Sequence, residues 1–165
     1  MSTAYKGVNY ADTQASPITQ IEGGQYNVPA LHILDQFVLT ADLAANDTIL
    51  VGGLIPEGAI LLDAKVVVPT ALGGAAAINF GYQAGPAEPT GSPTPQAVSL
   101  SAFFASLVVS SAVVASALGS AQQGTFYTQA ALTSQVQPII TCTVATSGAT
   151  GLSIYVDISY TKAGG

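Results

Sequence analysis

The sequence has no tryptophan, no arginine and a single cysteine, histidine and methionine, and its three lysines and nine carboxylates make up only 7% of the residues. Each shortage removes a class of function. A lone Cys142 excludes an intramolecular disulfide framework and any multi-cysteine metal site. The absence of arginine, with a formal charge of -6, argues against binding a phosphate backbone, because that depends on clustered Lys and Arg releasing counterions. Nucleic acid is therefore not expected as a direct partner. Ordinary soluble domains carry about 25% charged residues, so this chain cannot cover itself with charge. Its apolar fraction is 49% and the uncharged remainder is mostly Ser, Thr, Gly, Gln and Pro. Such an exterior is neutral, mildly hydrophobic and suited to burial against partners.

The opening "MSTAYKGVNYADTQASPITQ" has neither the basic region nor the apolar run of a secretory signal, so no signal peptide is expected. Asn46-Asp47-Thr48 has the form of a glycosylation sequon, which without that signal is a chance match. "SLSAFFASLVVSSAVVASALGS", Ser99 to Ser120, is uncharged and long enough to cross a bilayer. It is nevertheless rich in serine and lacks the basic or aromatic anchors of a membrane span. Charge is absent all the way from Glu88 to Asp157, across strands that alternate cleanly, so the lack of charge is the style of the whole chain and not a local span, and no membrane partner is expected.

Residues 1 to 30 are polar and turn-rich, with "SP", "EGG" and "NVP" as breakers; they read as an extended N-terminal arm ahead of one domain at 31–165. From Phe37 onward short apolar runs alternate with turn chemistry, which predicts strands. Leu62, Ala64, Val66 and Val68 share one parity, while Asp63, Lys65 and Val67 share the other, so the charged pair should face outward. Ile78, Phe80 and Tyr82 form a second inward set, Ile140, Cys142 and Val144 a third. "LSIYVDISYT" alternates most cleanly, with Leu152, Ile154, Val156, Ile158 and Tyr160 inward and Tyr155 and Asp157 outward. "GPAEPTGSPTPQ" is too rich in proline for a central strand and reads as a surface loop. Phe103, Phe104, Leu107 and Val108 against Ser99, Ser106 and Ser110 fit a short helix running into a strand. Seven or so short strands at this spacing predict an all-β antiparallel β-sandwich with at most one short helix.

No constellation carries catalytic chemistry. His32 would need a nucleophile such as Cys142, which lies on an apolar strand parity where its thiolate is disfavoured. Asp35, three residues after His32, is the expected partner of the imidazole, as a hydrogen-bonded surface or interface histidine. Asp42, Asp47, Glu57 and Asp63 are spread without the density of a calcium loop and read as solubilising charges at strand ends. No catalytic, cofactor-binding or metal site is expected, and no cofactor. "VGGLIPEGA" lacks a phosphate-loop lysine and reads as a turn, with Pro56, Glu57 and Gly58 in the order of a tight reversal. Seven tyrosines raise the possibility of a sugar platform, for which only Tyr155 faces outward in its strand; tyrosine also suits protein interfaces.

The run "LAANDTILVGGLIPEGAILLDAKVVV", Leu43 to Val68, resembles small structural proteins of tailed bacteriophages, and "SAFFASLVVSSAVV" and "TSGATGLSIYVDISYT" resemble the same proteins. The resemblance implies a jelly-roll-like head decoration, or cement, protein. Such a protein is made in the host cytoplasm, is generally a homotrimer, and sits on the capsid exterior stapling neighbouring major capsid protein subunits. The alternatives are a neck, tail or head-fibre component, a carbohydrate- or surface-binding β-sandwich module, and, least supported, a hydrolase on a β-sandwich.

Overall fold

The computed structural model describes residues 30–85, 98–117 and 131–162. The arm at 1–29 and most of the proline-rich loop lie outside the described residues. Eight strands run in order: β1 (Leu31–Val38), β2 (Thr48–Leu50), β3 (Ala59–Val68), β4 (Ala77–Ala84), β5 (Ser99–Val108), β6 (Val113–Ser116), β7 (Val136–Val144) and β8 (Ser153–Lys162). They form two four-stranded sheets, β1-β8-β3-β6 and β2-β7-β4-β5, with every neighbouring pair antiparallel. The pairs β1 with β8, β2 with β7, β3 with β6 and β4 with β5 nest inside one another. One long antiparallel ribbon has thus been rolled into two layers, which is the jelly-roll topology.

The roll follows from turn chemistry between alternating strands. Pro56-Glu57-Gly58 closes a tight turn in which the Ala59 N–H donates to the Pro56 carbonyl at 3.2 Å, and Gly58 takes the φ of +75° that such a turn needs. At the β1–β2 connection Asn46 adopts φ 74° while the Asp47 carboxylate accepts the Ala44 N–H at 2.7 Å; asparagine tolerates this conformation better than other side chains. Between the sheets lies one core. Phe80 and Phe103 meet at 4.7 Å between ring centroids and Tyr82 and Phe103 at 6.0 Å. Ile49, Ile78, Ile140, Ile154 and Ile158 pack in the same cluster.

The expected parities hold in β4 and β8, where Ile78, Phe80, Tyr82, Ile154, Val156 and Ile158 are buried, and fail at three bulges. In β3 the register with β8 shifts between Leu61 and Asp63. Leu62 is the extra residue and turns outward at 38% exposure, so Leu61 takes the inward place beside Ala64 and Val66. In β7 a shift against β4 between Ala77 and Ile78 exposes Val144 while Cys142 stays buried. The third lies in β5, where a helix was expected at Phe103 to Val108 and a strand is found. Phe80 pairs with Phe104 but Tyr82 with Ser99, so surplus residues bulge there and both adjacent phenylalanines are buried. Two neighbouring buried aromatics are a helical signal in an ideal strand and a bulge signal in an irregular one. Ser106 at φ 51° ends the irregular stretch, and the Asn79 side chain accepts its N–H at 2.7 Å. The described part of the uncharged stretch that begins at Ser99 therefore enters the sandwich as β5 and β6. Among the described residues no helix is long and apolar enough to cross a membrane.

Asp42 ties one end of the sandwich together. Its carboxylate accepts the N–H groups of Ala149 at 2.6 Å and Gly148 at 3.0 Å, joining the β1–β2 and β7–β8 loops, so it is a loop clasp and not merely a solubilising charge. The Ala149 N–H, then that of Gly148, holds the carboxyl below its ordinary value, partial desolvation opposing them. A depressed carboxyl stabilises the fold above its unfolded pKa of about 3.9 and loses that contribution as pH falls through the folded value. Asp42→Ala is expected to melt below the wild type at pH 7, with the gap closing as the pH falls below about 4. Thermal melts of both proteins between pH 7 and pH 2.5 check this.

Candidate assembly surface

The outer face of the β1-β8-β3-β6 sheet gathers residues that sequence parity alone scatters. Cross-strand register sets Leu34, Asp157, Lys65 and Ser116 in one row and Gln36, Tyr155, Val67 and Val114 in the next. His32, Ser159 and Asp63 form a third. Leu34 and Val114 are 74% and 76% exposed, far more than strand residues of a self-contained core require. Between them lies an open depression of about 360 Å³ lined by Leu34, Asp35, Lys65, Val67, Tyr155, Val156 and Asp157.

The polar groups of this face are held by one another. His32 Nδ1 lies 3.0 Å from Asp157 Oδ1 and 3.3 Å from Ser159 Oγ. Asp35, the expected partner of His32, faces the other way, because positions three apart on a strand lie on opposite faces; it accepts the Gly52 N–H at 2.6 Å and the Gln36 N–H at 2.8 Å. Gln36 Nε2 donates to Tyr155 Oη and Ser153 Oγ, each at 3.2 Å, which fixes the exposed ring. Asp63 sits in mid-strand, not at a strand end as the sequence suggested. It is only 6% exposed and accepts Ser116 Oγ at 2.9 and 3.0 Å, with Lys65 Nζ at 3.8 Å. What remains open is an apolar surface, Leu34, Val67, Val114 and the Tyr155 ring, with its charges locally compensated. Tyr155 is the one aromatic ring in the depression, which suits a protein contact better than a sugar platform.

The other candidate chemistry stays apart. Cys142 is buried in β7 of the opposite sheet, with Sγ 3.3 Å from the Val144 carbonyl, while His32 is on the outer face of the first sheet. Burial, then the nearby Asp47 charge, pushes the thiol up, so the thiolate is disfavoured. Cys142→Ala is expected to cost about 1 kcal/mol, as small core truncations do, and the native thiol should resist a polar labelling reagent that modifies the unfolded chain at once. Calorimetry and a labelling time course check both. Among the described residues no group of three His, Cys, Asp or Glu side chains is placed to hold a metal ion.

No family model and no curated protein matches the sequence. Two solved structures share the fold. A chain of the capsid of Ralstonia phage GP4 superposes with a TM-score of 0.59 at 22% identity, covering 95% of this chain and 97% of that one. A chain of the cyanophage Pam1 capsid asymmetric unit superposes with a TM-score of 0.51 at 17% identity, covering 82% and 85%. The two-sheet fold of this chain is shared with both of these phage capsid chains. The exposed Leu34, Val67 and Val114 surface was missed from sequence because nothing in β1, β3 or β6 alone says that their outward residues meet in one place.

Proposed function

We propose that this chain is a virion structural protein of a phage head, a decoration or cement protein that binds the outer surface of the capsid as a homotrimer and stabilises contacts between major capsid protein subunits. The observation that carries this reading is a likeness in fold to a phage capsid chain over 95% of the protein, and to a second over 82%. The scarcity of charge and the open apolar face around Leu34, Tyr155 and Val114 support it, since such a face is suited to burial against a partner. The outer face of the β1-β8-β3-β6 sheet is the capsid contact in this reading. The test is co-sedimentation of the purified protein with heads assembled without it. Saturable binding that raises the temperature at which the heads release their contents is expected. Absence of binding at micromolar protein would sink the role, and binding without added head stability would leave a surface component that is not a cement.

A further inference from the structure

Each sheet has two edge strands, and three of the four edges are blunted in the ways sheets avoid unwanted pairing. β2 is three residues long and β6 four, and β5 is broken by register shifts and the left-handed Ser106. β1 is different. It runs for eight residues without proline or lysine, and its register with β8 is unbroken from Leu31↔Tyr160 to Val38↔Ser153. Among the described residues β8 is its sole strand partner. Leu31, Leu34, Phe37 and Val38 are exposed along it. Leu39 exchanges hydrogen bonds with Leu152 and Gly151 beside β8, so by antiparallel alternation the amides of His32, Leu34, Gln36 and Val38 point to the free edge. Asp35 takes the Gln36 amide, and the others face outward for an added strand.

We infer that the β1 edge takes an added strand from the N-terminal arm of a second copy, through residues 4–10, "AYKGVNY". The chain outside the described residues, 1–29, leads into β1 through Ala30. Extended at about 3.3 Å per residue, residues 1–29 reach across a neighbouring domain. Within residues 1–11 the only charge is Lys6 and proline is absent, whereas the outer face beside β1 brings Asp157, opposite Leu34. Lys6, Val8 and Tyr10 share one side of an added strand. The contact is head-to-tail, so it closes into a ring when the arm of each copy reaches the next. The inference rests on the oligomer in the proposed function and not on capsid binding, so it is tested on purified protein alone.

In a Cys142→Ala background, full-length chains carrying Val8→Cys are mixed with chains carrying Leu34→Cys and oxidised. A disulfide-linked dimer of one chain of each kind is expected on a denaturing gel, at least tenfold over the product of Val8→Cys with Leu50→Cys, which lies on the other sheet. Its absence overturns the inference. So does a doubly substituted chain that closes only on itself, since that makes the chain's own arm the occupant. The second measurement uses Leu34→Pro. It removes an amide that the isolated domain does not use, so the fold is retained, while the added strand loses its partner. With no arginine in the chain, tryptic cleavage after Lys6 reports on the arm directly. Cleavage at least tenfold faster in Leu34→Pro than in the parent is expected; equal rates in two folded proteins overturn the inference.

Discussion

Alanine at Gly73 is expected to cost about 4 kcal/mol or more, at the diagnostic end for a single substitution, and to lower Tm by roughly 10 °C. Gly73 adopts φ +78° in the β3–β4 connection, and a Cβ there would stand 1.9 Å from the Ser147 carbonyl oxygen and 3.0 Å from its carbon. Those atoms are backbone. They cannot swing aside, because the Ser147 N–H donates to the Leu72 carbonyl at 3.0 Å while the Leu72 N–H donates to Val109 at 2.9 Å, and Leu72 is fully buried. Gly148 provides the control: its φ is +68° with nothing within 4 Å of a Cβ, so Gly148→Ala bears only the left-handed penalty of about 1–2 kcal/mol. Calorimetry of the two variants separates the terms. Equal melting of both would mean that the β3–β4 connection does not lie against the β7–β8 loop.

That glycine contact also marks the boundary of what the sequence reveals. Period-two alternation made β4, and β8 as far as Ile158, legible, because an undistorted strand between two environments has no other way to arrange Ile154, Val156 and Ile158; beyond it Thr161 is buried and Tyr160 only half-buried. "PEG" was legible as a turn for an equally local reason. The bulges were not. Leu61 takes the inward place expected of Leu62 because of one residue of slippage against β8, and Phe103 and Phe104 are both buried because β5 slips against β4; in each case the cause is a partner strand distant in sequence. His32 illustrates the same limit. Its carboxylate partner is Asp157, a cross-strand neighbour 125 positions away, while the sequence offered Asp35 nearby. Composition indicated that some face must be covered, but only the pairing of β1, β8, β3 and β6 says which residues make it.

Under the proposed function, a carboxylate placed in that face should strongly weaken capsid binding without disturbing the domain. Val114 is 76% exposed at its edge strand and lies in the row with Val67, Tyr155 and Gln36, so Val114→Glu replaces a solvated methyl pair by a solvated charge. The isolated protein should melt within about 0.5 kcal/mol of the wild type, as surface substitutions do. Bound to a head, the same group would be desolvated in an apolar contact whose own cations are engaged, Lys65 with Asp63. Burying an unpaired charge costs several kcal/mol, and each 1.4 kcal/mol is tenfold in affinity. Co-sedimentation should therefore weaken by about a hundredfold or more. Leu50→Glu supplies the contrast, because Leu50 is 58% exposed on β2 of the other sheet and its substitution should leave binding intact. The reverse pattern, with Leu50→Glu failing and Val114→Glu binding normally, would transfer the capsid contact to the β2-β7-β4-β5 sheet. Equal loss in both would mean that the protein is enclosed on two sides, as a component built between other subunits would be, and not seated on a capsid exterior.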